Sequence, residues 1–368
     1  MKLPIPKEEH FKAPAHDERV TSKIGLALAV TFTTCFVTGL ISHLIQHPPE
    51  WFFWPSRPAG LYRVTQGLHV ISGVASIPLL LAKLWSVYPK LFGRPLVRSL
   101  PHALERLSIL VLSGSAFFEL STGLLNVAQN YPWIFYFPQV HYAVAWLAIG
   151  SILVHIAVKL PIVRRALSRT AEAEPPSAGL SRRGFLRTTW LTAGVAVVAT
   201  AGATVPLLRN VSGLSWRTNK GTQGLPVNRT AAAAGVLRAD AGWRLTVNTR
   251  TFSLAELRQL PQTTAELPIA CVEGWSQSAV WRGVSLPTLL KAVGSKPGTA
   301  LRVSSLERSG LYGVSVLPGE HTADDLTLLA LELNGEVLDL DHGFPCRIIA
   351  PNRPGVLQTK WVTKLEAL

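Results

Sequence analysis

Four long apolar segments in the first half of the chain constrain its fold more than any other feature. They are Ile24–Ile45, Val64–Trp85, Leu107–Val127 and Val140–Leu160. Each has about 20 residues, the length that a helix needs to cross roughly 30 Å of hydrocarbon. Each is apolar on all sides rather than along one stripe, which disfavours the helices of a soluble bundle. We therefore predict an all-α bundle of four transmembrane helices in a lipid bilayer.

The composition agrees with a membrane protein and excludes other classes. Of the 368 residues, 48% are hydrophobic and 16% are charged, whereas soluble domains average about 25% charged residues. So apolar a chain is not intrinsically disordered. Its three cysteines cannot build a disulfide framework. The length allows two or three domains.

The distribution of basic residues predicts the orientation in the membrane. Five Lys or Arg precede the first segment, five lie in or beside the loop between the second and the third, and four lie at or after the end of the fourth. The first-to-second loop has two, and the third-to-fourth loop has none. We predict a multi-pass plasma-membrane protein with a cytoplasmic N-terminus. Because topology explains much of the net charge of +14, nucleic acid is not predicted as a partner.

A fifth, less hydrophobic segment, Thr188–Leu208, is predicted to be an anchor helix that carries the rest of the chain outside. The sequence TAEAEPPSAGL at Thr170–Leu180 before it has the composition of a linker. It is followed by SRRGFLR at residues 181–187, which resembles a twin-arginine export signal, the route of domains that fold before crossing. The alternative is an ordinary basic flank on a fifth helix.

Histidines inside membrane segments are costly and usually functional, and this chain has four, His43, His69, His141 and His155. His141 and His155 are 14 residues apart. A helix separates them by about 21 Å and returns them to within about 40° of one face. Two stacked hemes with axial His ligands require this arrangement.

With neighbouring helices supplying second ligands, residues 20–165 resemble the four-helix bis-histidine cytochrome b subunits of membrane-bound formate dehydrogenases and hydrogenases. The resemblance implies that His69 and His141 hold the iron of an outer heme b. It implies that His155 would serve a second, inner heme. It also implies that electrons pass to or from membrane quinone or quinol.

The sequence departs from this pattern at the inner heme. The family's inner partner position reads Ser22-Lys23-Ile24-Gly25 here, and His16 and His102 are the nearest alternatives. His43, at the outer end of the first segment, would either compete for the outer iron or form a hydrogen bond between helices. One heme is predicted, and the second is left open.

Glu119, inside the third segment, has two interpretations. A buried carboxylate would relay protons to or from a quinone, or it would be the structural partner of a neighbouring His or Ser. Cys35, in the first segment, is interpreted as a small apolar residue.

Residues 211–368 have ordinary charge frequency and short β-like segments separated by turns, which predicts one mixed α+β, β-rich domain. Asn334-Gly335 predicts a hairpin turn. The predicted strands are Trp243–Asn248, Leu267–Val272, Leu301–Ser305, Gly313–Val316, Leu328–Leu333 and Arg347–Ala350, and the predicted helices are Ser253–Gln259 and Pro287–Val293. The predicted organisation is therefore a membrane domain at residues 1–165, a linker with the fifth helix at residues 166–210, and this outer domain.

Cys271 leaves a predicted strand and enters a Gly-Trp-Ser loop, which predicts an accessible thiol. Thiolate is a soft ligand that suits a high-valent metal. Considered alone, a buried and inert cysteine is the better interpretation. The surrounding motifs reverse that interpretation.

Residues 225–366 resemble the sulfite oxidase family of molybdopterin enzymes, with the motifs in order. The motifs are Cys-Val-Glu-Gly-Trp-Ser at 271–276, Trp-Arg-Gly-Val at 281–284, Thr-Leu-Leu-Ala at 327–330, Asn-Gly-Glu at 334–336, His-Gly-x-Pro-x-Arg at 342–347 and Lys-Trp-Val at 360–362. The resemblance implies that Cys271 is the catalytic thiolate ligand of molybdenum. The residues that it implies for the pterin are Asn228, Ser304 or Ser305, His342, Arg347, Gln358, Thr359 and Lys360.

The arginine cluster that binds the sulfite dianion in plant and animal sulfite oxidases has no clear counterpart, and Arg282 and Arg308 are only nearby in sequence. In size the domain is closer to the bacterial periplasmic methionine-sulfoxide reductase catalytic subunit. We expect oxo transfer on a small oxyanion or sulfoxide outside the membrane, with heme b linking the domain to quinone. The direction of electron flow and the oligomeric state are open. The alternative is a heme-based redox sensor or anchor with a cofactor-free outer binding module.

Overall fold

The described part of the chain forms two compact units. The structure is a computed structural model that describes residues 13–168 except 94 and 96, residues 180–215, residues 221–237, and residues 242–368 except 308, 309 and 311. The first unit comprises the chain up to Leu40, Leu68–Ala201 and Asn210–Leu214. The second comprises Ile41–Gly67, Gly202–Arg209 and Ser215–Leu368.

The N-terminal half is helical, as predicted. Its helices are α1 (Glu18–Gln46), α2 (Leu61–Val87), α3 (Leu100–Val127) and α4 (Phe137–Ser168). Among the described residues, four helices are long and apolar enough to cross a membrane, and they correspond to these four. The prediction of four such helices is confirmed. Each helix extends beyond its predicted apolar segment, because the flanking residues continue the helix.

A fifth helix, α5 (Arg182–Thr200), begins and ends earlier than the predicted segment Thr188–Leu208. Ser181 caps its start by accepting a hydrogen bond from the Gly184 amide at 3.0 Å. The last residues of the predicted segment form short 3₁₀ turns instead. One of these turns starts at Pro206, and proline cannot continue a helix. In the described part of the chain α5 is not among the helices that meet the length and apolarity of a membrane span. Arginines in its first turns lower its hydropathy.

The C-terminal part is a mixed domain with two sheets. Its strands are β1 (Leu245–Val247), β2 (Arg250–Phe252), β3 (Gln262–Ala270), β4 (Ser276–Ser285), β5 (Leu301–Ser305), β6 (Val314–Leu317), β7 (Leu328–Leu333), β8 (Glu336–Val337), β9 (Arg347–Ile349) and β10 (Val362–Ala367). Its helices are α6 (Leu254–Gln259), α7 (Leu286–Ala292) and α8 (Gly319–Thr322). One sheet has the order β2-β1-β10-β5-β6, and the other has the order β3-β4-β7-β8 with β9 also paired to β7.

The hairpin at Asn334-Gly335 is confirmed. Both residues have positive φ angles, 51° and 86°, as the tight turn between two antiparallel strands requires. The turn joins β7 to β8, where Leu333 pairs with Glu336. The hairpin therefore fixes the register at the end of the strand that also pairs with β4 and β9.

Residues 41–67 belong to the C-terminal unit, which differs from the predicted division at residues 165 and 210. Arg57 donates to both oxygens of Asp324, at 2.9 and 2.8 Å. Trp54 donates to the carbonyl of Asn352 at 2.9 Å, and the Tyr62 amide donates to its side-chain oxygen at 2.6 Å. The segment between α1 and α2 is thus packed into the C-terminal unit rather than forming a free loop.

Asn352 is the centre of these contacts and gives a test of them. Replacing Asn352 by Gly keeps the positive φ of 56° free of strain but leaves the Tyr62 amide and the Pro55 carbonyl without this partner. We expect a loss of about 2–4 kcal/mol in unfolding free energy, measured by denaturant unfolding of the detergent-purified chain. Arg282→Ala, which removes an exposed ion pair with Glu332, is the control and should cost less than about 1 kcal/mol. Equal losses would contradict this role.

The Arg57–Asp324 pair predicts a pH dependence. Burial opposes ionisation of Asp324, but hydrogen bonds from Arg57, the Leu326 amide and Ser56 outweigh it and lower the carboxyl pKa to about 2. Since the unfolded pKa is about 3.9, the stabilisation is fully present above that value and is lost as the pH falls towards 2. Wild type and Asp324→Asn should therefore differ in melting temperature at about pH 6 and converge near about pH 2. A constant difference would contradict the assignment.

Candidate active site

Cys271 follows the last residue of β3 and begins a tight loop that leads into β4. Its amide donates to the Trp275 carbonyl at 2.8 Å, and the Gly274 amide donates back to its carbonyl at 3.0 Å. Gly274 has a φ of 89°, which a residue with a Cβ rarely adopts. Cys271 is fully buried in an apolar cluster with Ile269 and Trp281. The expectation of an accessible thiol is wrong, because the loop folds back onto this cluster.

A cavity beside this loop brings together four of the predicted pterin-binding residues. The four residues that were predicted are Asn228, His342, Arg347 and Lys360, and the others in its lining are Leu225, Pro226, Ile269, Trp275 and Gly355. These residues come from segments more than 100 positions apart, so only the folded domain assembles them.

Cys271 adjoins this cavity through two of the lining residues. A Cβ added at Gly355 would lie 3.6 Å from the Cys271 Cα and 3.1 Å from Ile269 Cγ2. A Cys271 thiolate would also raise the pKa of the Lys360 ammonium by its charge. The cysteine and the cationic residues therefore belong to one site.

Two buried cations dominate the electrostatics of the cavity. Burial lowers the pKa of Arg347 to about 9. Burial, together with the charge of Arg347, lowers the pKa of Lys360 to about 7, and the charges of Asp341 and Glu307 oppose this shift only in part. Among the described residues neither side chain forms an ion pair with a carboxylate. Two desolvated cations without acidic partners are costly, so the cavity suits an anionic ligand.

The hydrogen bonds of Arg347 leave its Nε atom available for such a ligand. Its Nη1 donates to the His342 carbonyl at 3.1 Å, and its Nη2 donates to the Gln358 carbonyl at 3.2 Å. Its Nε and the Gln358 Oε1 are buried without a hydrogen-bond partner within the described part of the chain. Because buried polar groups are nearly always paired, these atoms indicate a missing partner. A pterin that carries a phosphate fits this donor set.

His342 contributes a neutral imidazole to the cavity. Burial lowers its pKa to about 4; a hydrogen bond to the Thr222 carbonyl opposes this, and the charges of Arg347 and Lys360 reinforce it. Its Nε2 lies 2.7 Å from the Thr222 carbonyl oxygen. At neutral pH it is therefore uncharged and is oriented by the backbone.

The remaining predicted pterin-binding residues lie beside the cavity rather than in its lining. Thr359 shares a hydrogen bond of 2.7 Å with Ser315, and Gln358 donates to the Arg353 carbonyl at 2.9 Å. Ser304 lies on β5 and is not among the cavity residues, whereas the hydroxyl of Ser305 donates to the Lys360 carbonyl at 2.7 Å. Of the two serines, Ser305 is the one that contacts the site.

Arg282, one of the two arginines that lie near the matched motifs in sequence, is not in the cavity lining. Arg282 donates to both oxygens of Glu332, at 3.0 and 3.1 Å, which neutralises it. Arg308 lies outside the described residues.

Sequence reasoning missed the apolar wall of the cavity. Leu225, Pro226 and Ile269 carry no chemical signal in a sequence. Trp275 does belong to one of the motifs, and it donates to the Glu273 carboxylate at 3.1 Å. Gly355 belongs to none of them, and its close approach to Cys271 exists only in the folded domain.

In the helical unit, His69 and His141 face each other. Their ring centroids are 6.5 Å apart, with an interplanar angle of 76°. The Nδ1 of His69 lies 2.8 Å from the Cys35 carbonyl oxygen. The Nδ1 of His141 lies 3.2 Å from Glu119 Oε2 and 3.2 Å from the Thr122 hydroxyl. Glu119 is therefore the structural partner of a histidine, one of its two predicted interpretations.

The other described histidines that were considered as heme ligands contact different groups. His43 lies 4.9 Å from His47, ring to ring, and His16 contacts Trp85 and the Ser86 carbonyl. His102 accepts a hydrogen bond from the Arg98 amide. Within the described residues no second ring faces His155, and no group of three or more His, Cys, Asp or Glu forms a metal site. A ligand pair for an inner heme is therefore not formed by these residues.

Comparison with known proteins identifies the C-terminal domain. Residues 233–368 match the family described as "Oxidoreductase molybdopterin binding domain". The chain is 28% identical over 154 residues to sulfite oxidase of Arabidopsis thaliana, covering 33% of this chain and 39% of the relative. It is 29% identical over 156 residues to the protein-methionine-sulfoxide reductase catalytic subunit of Burkholderia mallei, covering 37% of this chain and 46% of the relative. The chain thus spans less than half the length of either relative.

A solved structure, the sulfane dehydrogenase SoxCD of Paracoccus pantotrophus, is also similar, with 26% identity, a TM-score of 0.32, and coverage of 35% of this chain and 39% of that chain. From the family match and the two relatives, the C-terminal domain is a molybdopterin-binding oxidoreductase domain of the sulfite oxidase and methionine-sulfoxide reductase type. The predicted enzyme class and the molybdenum cofactor are confirmed at this level.

Arg347 offers a test of the cavity as the cofactor site. The planar fork of arginine donates to the two carbonyls and keeps Nε available for a phosphate. Lysine keeps the charge but lacks this fork. We expect Arg347→Lys to reduce the molybdenum content of the purified protein by about tenfold or more, measured by mass spectrometry of metals. Arg282→Lys is the matched control and should retain molybdenum. Full occupancy in Arg347→Lys would exclude the cavity as the site.

Proposed function

We propose that this chain is a membrane-anchored molybdopterin oxidoreductase that transfers an oxygen atom to or from a small substrate outside the membrane and exchanges electrons with quinone through heme b. The observation that carries the proposal is the cavity beside Cys271, which holds two buried cations without acidic partners. Such a cavity stabilises a phosphate-bearing cofactor next to a thiolate ligand.

Each residue of the cavity has a defined task in this proposal. Molybdenum, when bound, supplies two-electron oxo-transfer chemistry. Cys271 provides the thiolate ligand, and burial of the loop keeps water away from it. Arg347 and Lys360 neutralise the anionic cofactor, while the neutral imidazole of His342 adds polarity without charge.

The geometry of His69 and His141 supports heme b between α2 and α4. Their ring centroids are 6.5 Å apart, and these two side chains would hold the iron, since imidazole is a common ligand of heme. The Nδ1 atoms face a carbonyl and a carboxylate, the usual partners of metal-binding histidines, and this leaves each Nε2 for iron.

The number of membrane crossings made by the first four helices supports a fifth crossing. Helices α1–α4 return the chain to the side of its N-terminus, whereas the loop between α1 and α2 lies on the other side. Residues 41–67, which comprise that loop and the adjoining helix ends, share one compact unit with the C-terminal domain, and segments of one unit lie on one side of a membrane. The chain therefore crosses again before Gly202. The described helix in that interval is α5, whose 19 residues span about 28 Å.

The site favours a neutral sulfoxide over a sulfite dianion as the substrate. Arg282 is neutralised by Glu332, and among the described residues Arg347 and Lys360 are the cations that line the cavity. Both are committed to the cofactor in this proposal. In this proposal the substrate is therefore a sulfoxide, which the enzyme would reduce with electrons from quinol. The similarity to the methionine-sulfoxide reductase subunit agrees with this direction.

Metal analysis of the detergent-purified full chain tests both cofactors. We expect about one molybdenum and one iron per chain, because one histidine pair and one molybdopterin cavity are proposed. Cys271→Ala should lose molybdenum or activity and keep iron, and His141→Ala should lose the heme spectrum and keep molybdenum. The matched controls are Cys346→Ala and His43→Ala, which should keep both.

The outcomes separate the alternatives. Heme without molybdenum in the native protein would favour the redox sensor with a cofactor-free outer module. Molybdenum without heme would refute the cytochrome function and leave the oxidoreductase domain. Retention of heme in His141→Ala would refute the proposed ligand pair.

A further inference from the structure

The loop that carries Cys271 is held by side chains from distant parts of the same compact unit. Gln66, in the first turns of α2, donates from Nε2 to the Val272 carbonyl at 3.3 Å. Thr204, just after α5, donates from its hydroxyl to the Gly274 carbonyl. These two side chains thus bind two backbone carbonyls of the loop.

Two hydrogen bonds within the loop join the Cys271 amide to the Trp275 carbonyl and the Gly274 amide to the Cys271 carbonyl. Gly274 is buried and Val272 is half-buried, and their carbonyls accept the hydrogen bonds from Thr204 and Gln66. A buried carbonyl that loses its donor is costly. Removing either donor would therefore weaken the hold on the loop.

The residues that supply the donors are themselves fixed. Gln66 is 6% exposed and Thr204 is 4% exposed. Gly67, next to Gln66, lies beside Thr204, since a Cβ there would make an ordinary contact with the Thr204 methyl at 3.8 Å. Arg63, one turn before Gln66 on α2, extends the contact by donating to the Ser276 hydroxyl at 2.7 Å. The loop is therefore held from one side by an ordered group of donors.

We propose that Gln66 and Thr204 are positioning residues for the Cys271 thiolate. They act through the loop backbone and do not touch the cofactor. The role in catalysis rests on the proposed function, because it requires Cys271 to be a metal ligand. The positioning itself does not, since it concerns only the conformation of the loop.

The test measures loop order without any cofactor. Full-length protein is produced in cells that make no molybdopterin and is purified in detergent, and the alkylation rate of Cys271 by iodoacetamide is followed by peptide mass spectrometry. Thr204→Val keeps the shape and removes the hydroxyl, and Gln66→Leu removes the amide. Each should raise the alkylation rate roughly tenfold, because each loses one buried hydrogen bond.

Two matched variants control for general destabilisation. Thr204→Ser restores the hydroxyl and should return the rate to near the wild-type value. Thr363→Val removes a similar hydroxyl bond, to the Ser304 carbonyl, elsewhere in the unit and should not change the rate. If Thr204→Val fails to fold, Gln66→Leu carries the test. Rates within twofold of wild type for Gln66→Leu and for a folded Thr204→Val would overturn the proposal.

A second measurement connects the loop to the metal. In cofactor-loaded protein with normal molybdenum content, Thr204→Val should change the electron paramagnetic resonance spectrum of Mo(V), while Thr363→Val should not. Faster alkylation with an unchanged spectrum would show that Gln66 and Thr204 position the loop but that Cys271 is not the metal ligand. The proposed function would then be wrong, whereas the positioning of the loop would be confirmed. An unchanged alkylation rate would overturn the positioning regardless of the spectrum.

Discussion

The C-terminal unit depends on the burial of two cations in a cavity that supplies no carboxylate from its own lining. Arg347 and Lys360 are desolvated, and carbonyl oxygens rather than acids receive their hydrogen bonds. A folded chain tolerates such a charge imbalance only when a ligand completes it or when enough packing compensates for it. The two sheets supply that packing, with Trp281 beneath the Arg347 guanidinium at 5.2 Å. The fold thus holds an electrostatic site that an anionic cofactor would stabilise.

Much of the fold could be predicted because its signals are local. The apolar segments gave the four long helices, and the Asn334-Gly335 turn gave the hairpin. β4 was missed, although it is the longest of the described strands. Its serines and Gly283 hide the alternating pattern, and Gly283 is needed because a Cβ there would lie 2.1 Å from the Leu329 carbonyl oxygen. That requirement comes from a neighbouring strand, which no local pattern contains.

The candidate site could be predicted where a residue type carries its own chemistry. Cys271, His342, Arg347 and Lys360 were found through the resemblance, and the structure places the last three around one cavity beside the first. The burial of Cys271 was not predicted, because it depends on packing across the loop. Nothing in the sequence connects Gln66 with Val272, which is more than 200 positions away.

The inclusion of residues 41–67 in the outer domain has a consequence for how the protein is made. On the proposed topology, these residues enter the membrane early, between the first two helices, whereas the rest of the domain follows after α5. A domain exported in a folded state would still lack part of its own core. Its last step of folding would then be a docking reaction on the far side of the membrane, between a segment already anchored there and a newly arrived partner. Maturation of the active site would therefore wait for the whole chain, and the outer domain could not be exchanged between proteins as an independent module.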